Sequence, residues 1–254
     1  MWGLEGKRAV VCGGGGGLGA AIAAGFLQAG GRVAVIDLAT PSMDGVLGVR
    51  CDASDPDQLA EAFTSIGSEL GGLDVLVNSI RYRPKADEPP AWSRELQVNL
   101  DTYYYASRLA YGLMSRSILG GSIVNVSSVT SFLVADVQTT AYHCSKAAID
   151  QLTRCLAVEY GPANVRVNAV LPGLISRASS EPASESSDAS LYARQAISIP
   201  LRRSGGPEEL SNAILFLASP LASFVTGQCL VVDGGLSIRE QLSVTGGSLV
   251  RSAS

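Results

Sequence analysis

The chain has 254 residues, of which 46% are apolar and 17% charged, with a formal charge of −4. That length fits one large domain with a full core, and the acidic balance leaves no basic field to attract nucleic acid. One histidine, His143, rules out a multi-histidine metal site, and the absence of a Gly-x-Ser-x-Gly elbow sets a serine hydrolase aside.

Arg8–Cys12 is the first strand candidate, apolar along most of its length as a strand covered on both faces should be. CGGGGGLG follows, from Cys12 to Gly19, and leads into a helical stretch over Leu18–Ala29. A glycine run costs conformational entropy and needs a reason. Its position supplies one: between a buried strand and a helix N-terminus, backbone N–H groups and the helix dipole receive a pyrophosphate. The spacing of Gly13, Gly17 and Gly19 differs from Gly-x-Gly-x-x-Gly, although the mechanics are the same. Gly13, Gly17, Leu18 and Gly19 are therefore the expected dinucleotide contacts in this loop.

The second strand, Arg32–Ile36, runs into Asp37. A carboxylate there accepts both ribose hydroxyls of an adenosine and repels a 2′-phosphate. Leu38 brings no compensating positive charge, so NAD is favoured over NADP. The alternative is an ordinary strand-end turn aspartate. The link to the third strand, Gly48–Cys51, is short enough to hold little or no helix. Asp52, with Ala53 beside it, is expected at the adenine. Asp52 has a second reading as an N-cap, a role that Ser54 and Asp55 fit better.

Helical and strand patterns then alternate: helix Asp57–Leu70, strand Asp74–Asn78, helix Trp92–Ser117, strand Ser122–Val126, helix Tyr142–Tyr160, strand Val165–Val170, helix Pro207–Ala218 and strand Cys229–Val232. This alternation predicts an α/β fold, a doubly wound seven-stranded parallel sheet with helices on both faces. No break in composition marks a second domain within 1–254. The Ser-, Glu- and Ala-rich segment at about 174–200 reads as a substrate lid, and the polar tail from Ile238 as a fraying end. The start of the chain lacks a signal-peptide layout, and no apolar run is long enough to span a bilayer. Five scattered cysteines without a Cys-x-x-Cys read as reduced thiols, so a cytoplasmic protein is expected.

Within the fifth helix, Tyr142 and Lys146 stand four residues apart and share one face. A phenol titrates near ~10 unaided, and a fixed cation beside it favours the phenolate and brings it into catalytic range. Such pairs are common on exposed helices, so the spacing alone does not decide the matter. Ser127 and Ser128 precede the pair.

Taken together, these segments resemble the short-chain dehydrogenase/reductase family, of the single-domain Rossmann-like type, from about Lys7 to Gly235. CGGGGGLG resembles its glycine motif, with Cys12 where a threonine is usual. NVSS (Asn125 to Ser128) resembles its catalytic-serine strand end, and YHCSK (Tyr142 to Lys146) its Tyr-x-x-x-Lys. Asn99 in QVNL stands at the helix asparagine that completes a Ser-Tyr-Lys-Asn tetrad. Pro172–Gly173 and VVDGG resemble its sixth- and seventh-strand signatures.

The resemblance implies that Tyr142 is the general acid/base and that Lys146 lowers its pKa and holds the nicotinamide ribose. It implies that Ser128 binds the substrate oxygen and Asn99 supports a proton-relaying water. Asn78 would close the cofactor pocket, Pro172 and Gly173 would line it, and the backbone at Ile175 would meet the carboxamide. The implied activity is NAD-dependent interconversion of a secondary alcohol and its ketone. The alternatives are an NADPH-dependent biosynthetic ketoreductase and a non-catalytic nucleotide-binding sensor. The implied assembly is a homotetramer paired through the long helices.

Three departures from the family pattern stand out. Asn78-Ser79-Ile80-Arg81 replaces Asn-Asn-Ala-Gly, Arg177 replaces a threonine for which Ser176 is a substitute, and the Ser128–Tyr142 gap is one residue longer. RYRPK, Arg81 to Lys85, is the one dense basic cluster. It reads either as a solvated loop paired with Asp87 and Glu88, the favoured reading, or as a site for an anionic group of the substrate. TYYYA, Thr102 to Ala106, reads as helix packing at a subunit interface. His143 points about 100° away from Tyr142 around the helix and is expected to be structural.

Overall fold

In the computed structural model, the described residues are 2–39, 43–82, 91–176 and 196–240. Seven parallel strands form one sheet: β1 (Arg8–Cys12), β2 (Arg32–Asp37), β3 (Val46–Arg50), β4 (Val75–Asn78), β5 (Gly121–Val126), β6 (Val165–Pro172) and β7 (Cys229–Val232). Their spatial order is β3-β2-β1-β4-β5-β6-β7. The expected doubly wound sheet is therefore present. The order reverses between β1 and β4, and a crevice opens beyond the strand ends at such a switch point.

Side-chain alternation along the strands divides the core in two. Val10, Ala34, Leu76 and Ile123 face α2 (Pro56–Leu70), α4 (Thr102–Met114) and α5 (Thr140–Tyr160), where Phe63, Met114 and Tyr160 are buried. Ala9, Val11, Val35, Val77 and Val124 face α1 (Gly17–Gln28) and α6 (Pro207–Ala218), packing on Ile22, Phe26, Leu210 and Ile214. Strand register then fixes the site. Cys12 lies opposite Ile36 on one side and Asn78 on the other, and Asn78 lies opposite Asn125.

One expected element is interrupted. The stretch from Trp92 is not one regular helix but α3 (Trp92–Leu96), a π-turn over Gln97–Asp101, and then α4. A π-turn accommodates an extra residue in a helix and is frequent at functional sites. Here it surrounds Asn99, which is fully buried. Other boundaries shift by one or two residues: β3 starts at Val46, β6 runs on to Pro172, and α5 begins at Thr140. Among the described residues, no helix lies between β2 and β3. Most of the expected lid, residues 177–195, lies outside the described residues, as do Arg83, Lys85, Asp87, Glu88, Arg177 and residues 241–254. Among the described residues, no helix is long and apolar enough to cross a membrane.

Candidate active site

At the β1–α1 turn, backbone packs on backbone. Gly13 has φ +82°, and a Cβ there would sit 2.8 Å from the Ser79 carbonyl oxygen. A Cβ on Gly19 would lie 2.0 Å from the carbonyl oxygen of Gly13, so α1 approaches the loop only as glycine. Gly16 and Gly17 are different, because a Cβ on either would meet nothing within 4 Å. They face open space at the start of α1.

That helix start has no side-chain cap and no acidic residue in its first turn. By contrast, Asp55 caps α2 and Thr139 caps α5. An uncapped N-terminus presents N–H groups and the positive end of the helix dipole, which suits a pyrophosphate. Leu18, half-buried, anchors the turn to the core. Asp37 lies beneath the same loop, and its Oδ2 accepts the Gly15 N–H at 2.8 Å. The residues present therefore fit a dinucleotide.

Asp52 is engaged locally. Its Oδ1 accepts from the Ser54 N–H at 3.0 Å and the Ser54 hydroxyl at 2.6 Å, and Arg94 lies 3.5 Å from Oδ2. Burial opposes its ionisation, but the Ser54 hydrogen bonds and the Arg94 charge hold its carboxyl below the ordinary value. Asp55 takes the N-cap role, accepting from Asp57 and Gln58, and Ala53 follows Asp52 in the same turn. At the end of β6, a Cβ on Gly173 would come 2.6 Å from the Asp233 Cβ, so the strand end after Pro172 packs tightly. Ile175 bridges to Gly205, and the Ser176 hydroxyl donates to the Gly205 carbonyl at 3.1 Å.

Across the crevice the construction is of side chains. Asn78 is fully buried, and its Nδ2 donates to Asn125 Oδ1 at 2.9 Å and to Ser107 Oγ at 3.2 Å. Asn125 in turn donates to Thr153 Oγ1 at 3.0 Å. Asn78 thus braces β4 against β5, α4 and α5. Asn99 Oδ1 accepts the Tyr82 N–H at 2.7 Å, while its Nδ2 is buried without a partner among the described residues.

Ser128 follows β5 in extended backbone and caps a short 3-10 turn, with its Oγ accepting the Thr130 N–H at 3.2 Å. Tyr142 is in the first turn of α5, its N–H held by the Thr139 cap at 3.1 Å. Lys146 is one turn further on and 2% exposed. Its Nζ donates to the Val126 carbonyl at 2.8 Å and to the Tyr103 hydroxyl at 3.3 Å, and lies 5.6 Å from the Tyr142 ring centre. Burial and then repulsion from Arg81 pull its pKa down to about 7, with Asp150 opposing them. The four tetrad positions thus belong to one end of the sheet, three of them on α5 and the segment after β5.

Two residues of this site take places that the sequence reading did not foresee. Tyr103 was expected to pack at an interface with its neighbours. Tyr104 and Tyr105 do lie exposed, but Tyr103 is fully buried. Its hydroxyl lies 2.9 Å from the Ile80 carbonyl and 3.1 Å from that of Val126, within reach of Lys146. Burial, then the nearby Tyr142, raise its pKa well above the ordinary value. The available signal was its place four residues after Asn99. Arg81 lies with its guanidinium carbon 4.6 Å from the Tyr142 ring centre, and its Nη2 donates to Gln138 Oε1 at 2.8 Å. His143 is structural in position: its Nε2 accepts the Ala135 N–H at 3.0 Å and its Nδ1 meets the Thr139 carbonyl at 2.8 Å.

A parallel sheet with a phosphate-ready turn at its switch point and a buried Lys beside a Tyr at the strand ends defines an oxidoreductase of the Rossmann-like class. Comparison with known proteins agrees with this. A family model described as enoyl-(acyl carrier protein) reductase matches residues 14–237. Galactitol 2-dehydrogenase (L-tagatose-forming) of Cereibacter sphaeroides is 34% identical over 250 residues, covering 92% of this chain and 96% of its own. Cis-4-hydroxycyclohexanecarboxylate dehydrogenase of Sinomonas cyclohexanicum is 36% identical over 244 residues, covering 90% and 96%. The ligand-free aldohexose dehydrogenase of Thermoplasma acidophilum superposes with a TM-score of 0.86 at 35% identity, covering 95% of this chain and 98% of that one. The chain belongs to the short-chain dehydrogenase/reductase family, whose members use NAD(H) or NADP(H).

Proposed function

We propose that this protein is an NAD-dependent dehydrogenase that interconverts a secondary alcohol and its ketone, with Tyr142 as general acid/base. The observation that carries this reading is the buried Lys146, set one turn after Tyr142 and bonded to the Tyr103 hydroxyl and the Val126 carbonyl. The glycine turn and the start of α1 would hold the dinucleotide pyrophosphate, and Asp37 the adenosine ribose. When bound, the nicotinamide supplies the hydride acceptor or donor. In alcohol oxidation Tyr142 Oη takes the hydroxyl proton, and in ketone reduction it returns one to the oxygen. Ser128 Oγ accepts from Thr130, which leaves its own proton for that oxygen. Lys146 favours the phenolate in its charged form and exchanges protons near neutral pH. The unpartnered Nδ2 of Asn99 supports a water on the route to Lys146.

Several finer features belong to the same reading. Asp37 beneath the glycine loop favours NAD, since a 2′-phosphate would meet a carboxylate. Phe132, Val134 and Val137 are exposed on the loop that His143 and Arg81 hold, which suits an apolar substrate body. The exposed guanidinium of Arg81, and the carboxylate in the Sinomonas relative's name, support an anionic group on it. The groove formed by Tyr104, Tyr105, Leu100 and Leu152 supports pairing of helices in a homotetramer, and five free thiols suit the cytoplasm.

The test is a panel of secondary alcohols, with and without a carboxylate, incubated with NAD+ or NADP+ while reduced nicotinamide is followed. Turnover at least about tenfold more efficient with NAD+ is expected. A preference for NADP+ would favour the biosynthetic ketoreductase, and binding without turnover across the panel would favour the sensor.

A further inference from the structure

Where the family pattern has glycine, this chain has Arg81, and its guanidinium carbon stands 4.6 Å from the centre of the Tyr142 ring. At that distance a guanidinium is attracted by the ring face and, more strongly, by a phenolate. Its position is fixed by a hydrogen bond to Gln138, on the loop between β5 and α5, at 2.8 Å. Its bonded partner is thus a neutral amide, and among the described residues no carboxylate forms an ion pair with it. Lys146 lies 5.6 Å from the centre of the same ring. Tyr142 is therefore flanked by two cations, one buried and one exposed.

We propose that Arg81 is a positioning residue for Tyr142: it holds the ring against Gln138's loop and shares with Lys146 the task of stabilising the phenolate. The two cations divide the work. Lys146 is pushed toward neutrality by its burial and by Arg81, and so carries only part of its charge at pH 7. A guanidinium keeps its charge at any working pH. Arg81 therefore supplies a constant field while Lys146 exchanges protons. Among the described residues, other titratable or charged groups also stand near the phenol. His143 presents its ring edge to it from α5 with centroids 6.4 Å apart, Asp150 lies one turn beyond Lys146, Tyr103 approaches from α4, and Glu95 of α3 bonds the Thr139 cap.

For its kinetic readout this inference rests on the proposed function, so the decisive measurement is made without turnover. Tyrosinate absorbance is titrated in the native protein and in Tyr142→Phe, and the difference isolates the Tyr142 hydroxyl. The same difference is taken in Arg81→Ala and Arg81→Lys backgrounds. Loss of Arg81 is expected to raise the Tyr142 midpoint by about one pH unit, roughly a tenfold smaller phenolate fraction at a pH below it. Arg81→Lys should recover part of the shift. Where an oxidisable alcohol is in hand, the rising limb of kcat should move by the same amount. An unchanged midpoint in Arg81→Ala overturns the proposal, as does a lysine variant that behaves like alanine. A shifted midpoint in a protein that turns over no alcohol or ketone upholds the role of Arg81 and sinks the proposed function instead.

Discussion

Gly19 and Lys146 stand on opposite sides of one crevice and are held by opposite means. Around Gly19, backbone touches backbone, and the missing side chains at Gly13 and Gly19 let β1, α1 and the segment after β4 close together. Around Lys146, buried polar side chains do the same work: Asn78, Asn125, Thr153 and Tyr103 link four elements through hydrogen bonds. The first region makes a mould for a ligand from groups that do not titrate, with Asp37 as its one carboxylate. The second places a buried amine where it costs stability and supplies chemistry. Substitutions should therefore move stability and activity together on the glycine side and part them at Lys146 itself.

The largest effect on stability is expected at Gly19→Ala, because its Cβ would stand 2.0 Å from a carbonyl oxygen that cannot yield. Overpacking of this kind should cost about 3 kcal/mol and lower Tm by roughly 5–10 °C, with cofactor affinity falling in parallel. Calorimetry and nicotinamide fluorescence titration would measure both. An unchanged Tm would mean that the turn is looser than described.

Lys146→Met sharpens the contrast. A lysine titrates near ~10.4 in an unfolded chain and at about 7 in this fold. Between those values the unfolded state holds more protons, so native stability rises with pH from about 7 to ~10. Methionine removes that dependence, and denaturation at pH 7 or below should show a gain of roughly 1–3 kcal/mol with turnover abolished. The Val126 carbonyl would then share the single proton of the Tyr103 hydroxyl with the Ile80 carbonyl, at 3.1 and 2.9 Å. A loss of stability in Lys146→Met would show that its hydrogen bonds outweigh its burial.

Tyr103→Phe is the mildest probe, since it deletes one hydroxyl from the polar network. A cost of about 1 kcal/mol is expected, with kcat down several-fold and KM unmoved because the hydroxyl acts through Lys146. Unchanged kcat would reduce Tyr103 to a packing residue.

These two regions also differ in how far the sequence reveals them. The glycine turn, Asp37 and the Tyr142–Lys146 pair could be placed from sequence because each lies at the end of a strand pattern or on one face of a helix pattern. The seven strands and the parallel class of the sheet followed from apolar runs alternating with helices. The π-turn at Asn99 was not legible, because helix propensity over Trp92–Ser117 is continuous and the extra residue serves tertiary packing. The Tyr103–Lys146 bond joins residues 43 apart, and the packing of α4 and α5 on one face of the sheet brings them together without any local signal. Arg81 was readable as a charge but not as a neighbour of Tyr142, since its direction is set by Gln138 in another loop. Asn78 was expected at the cofactor pocket, and its further part as a buried brace, with Nδ2 bonded to Asn125 and Ser107, carried no local signal.

The most direct test of the account is Tyr142→Phe, assayed with NAD+ and the best secondary alcohol of the panel. The substitution deletes one oxygen and keeps the ring between Arg81 and Lys146. The account predicts that NADH binding and Tm stay close to native while kcat falls about a thousandfold or more. Turnover that survives in Tyr142→Phe would contradict it.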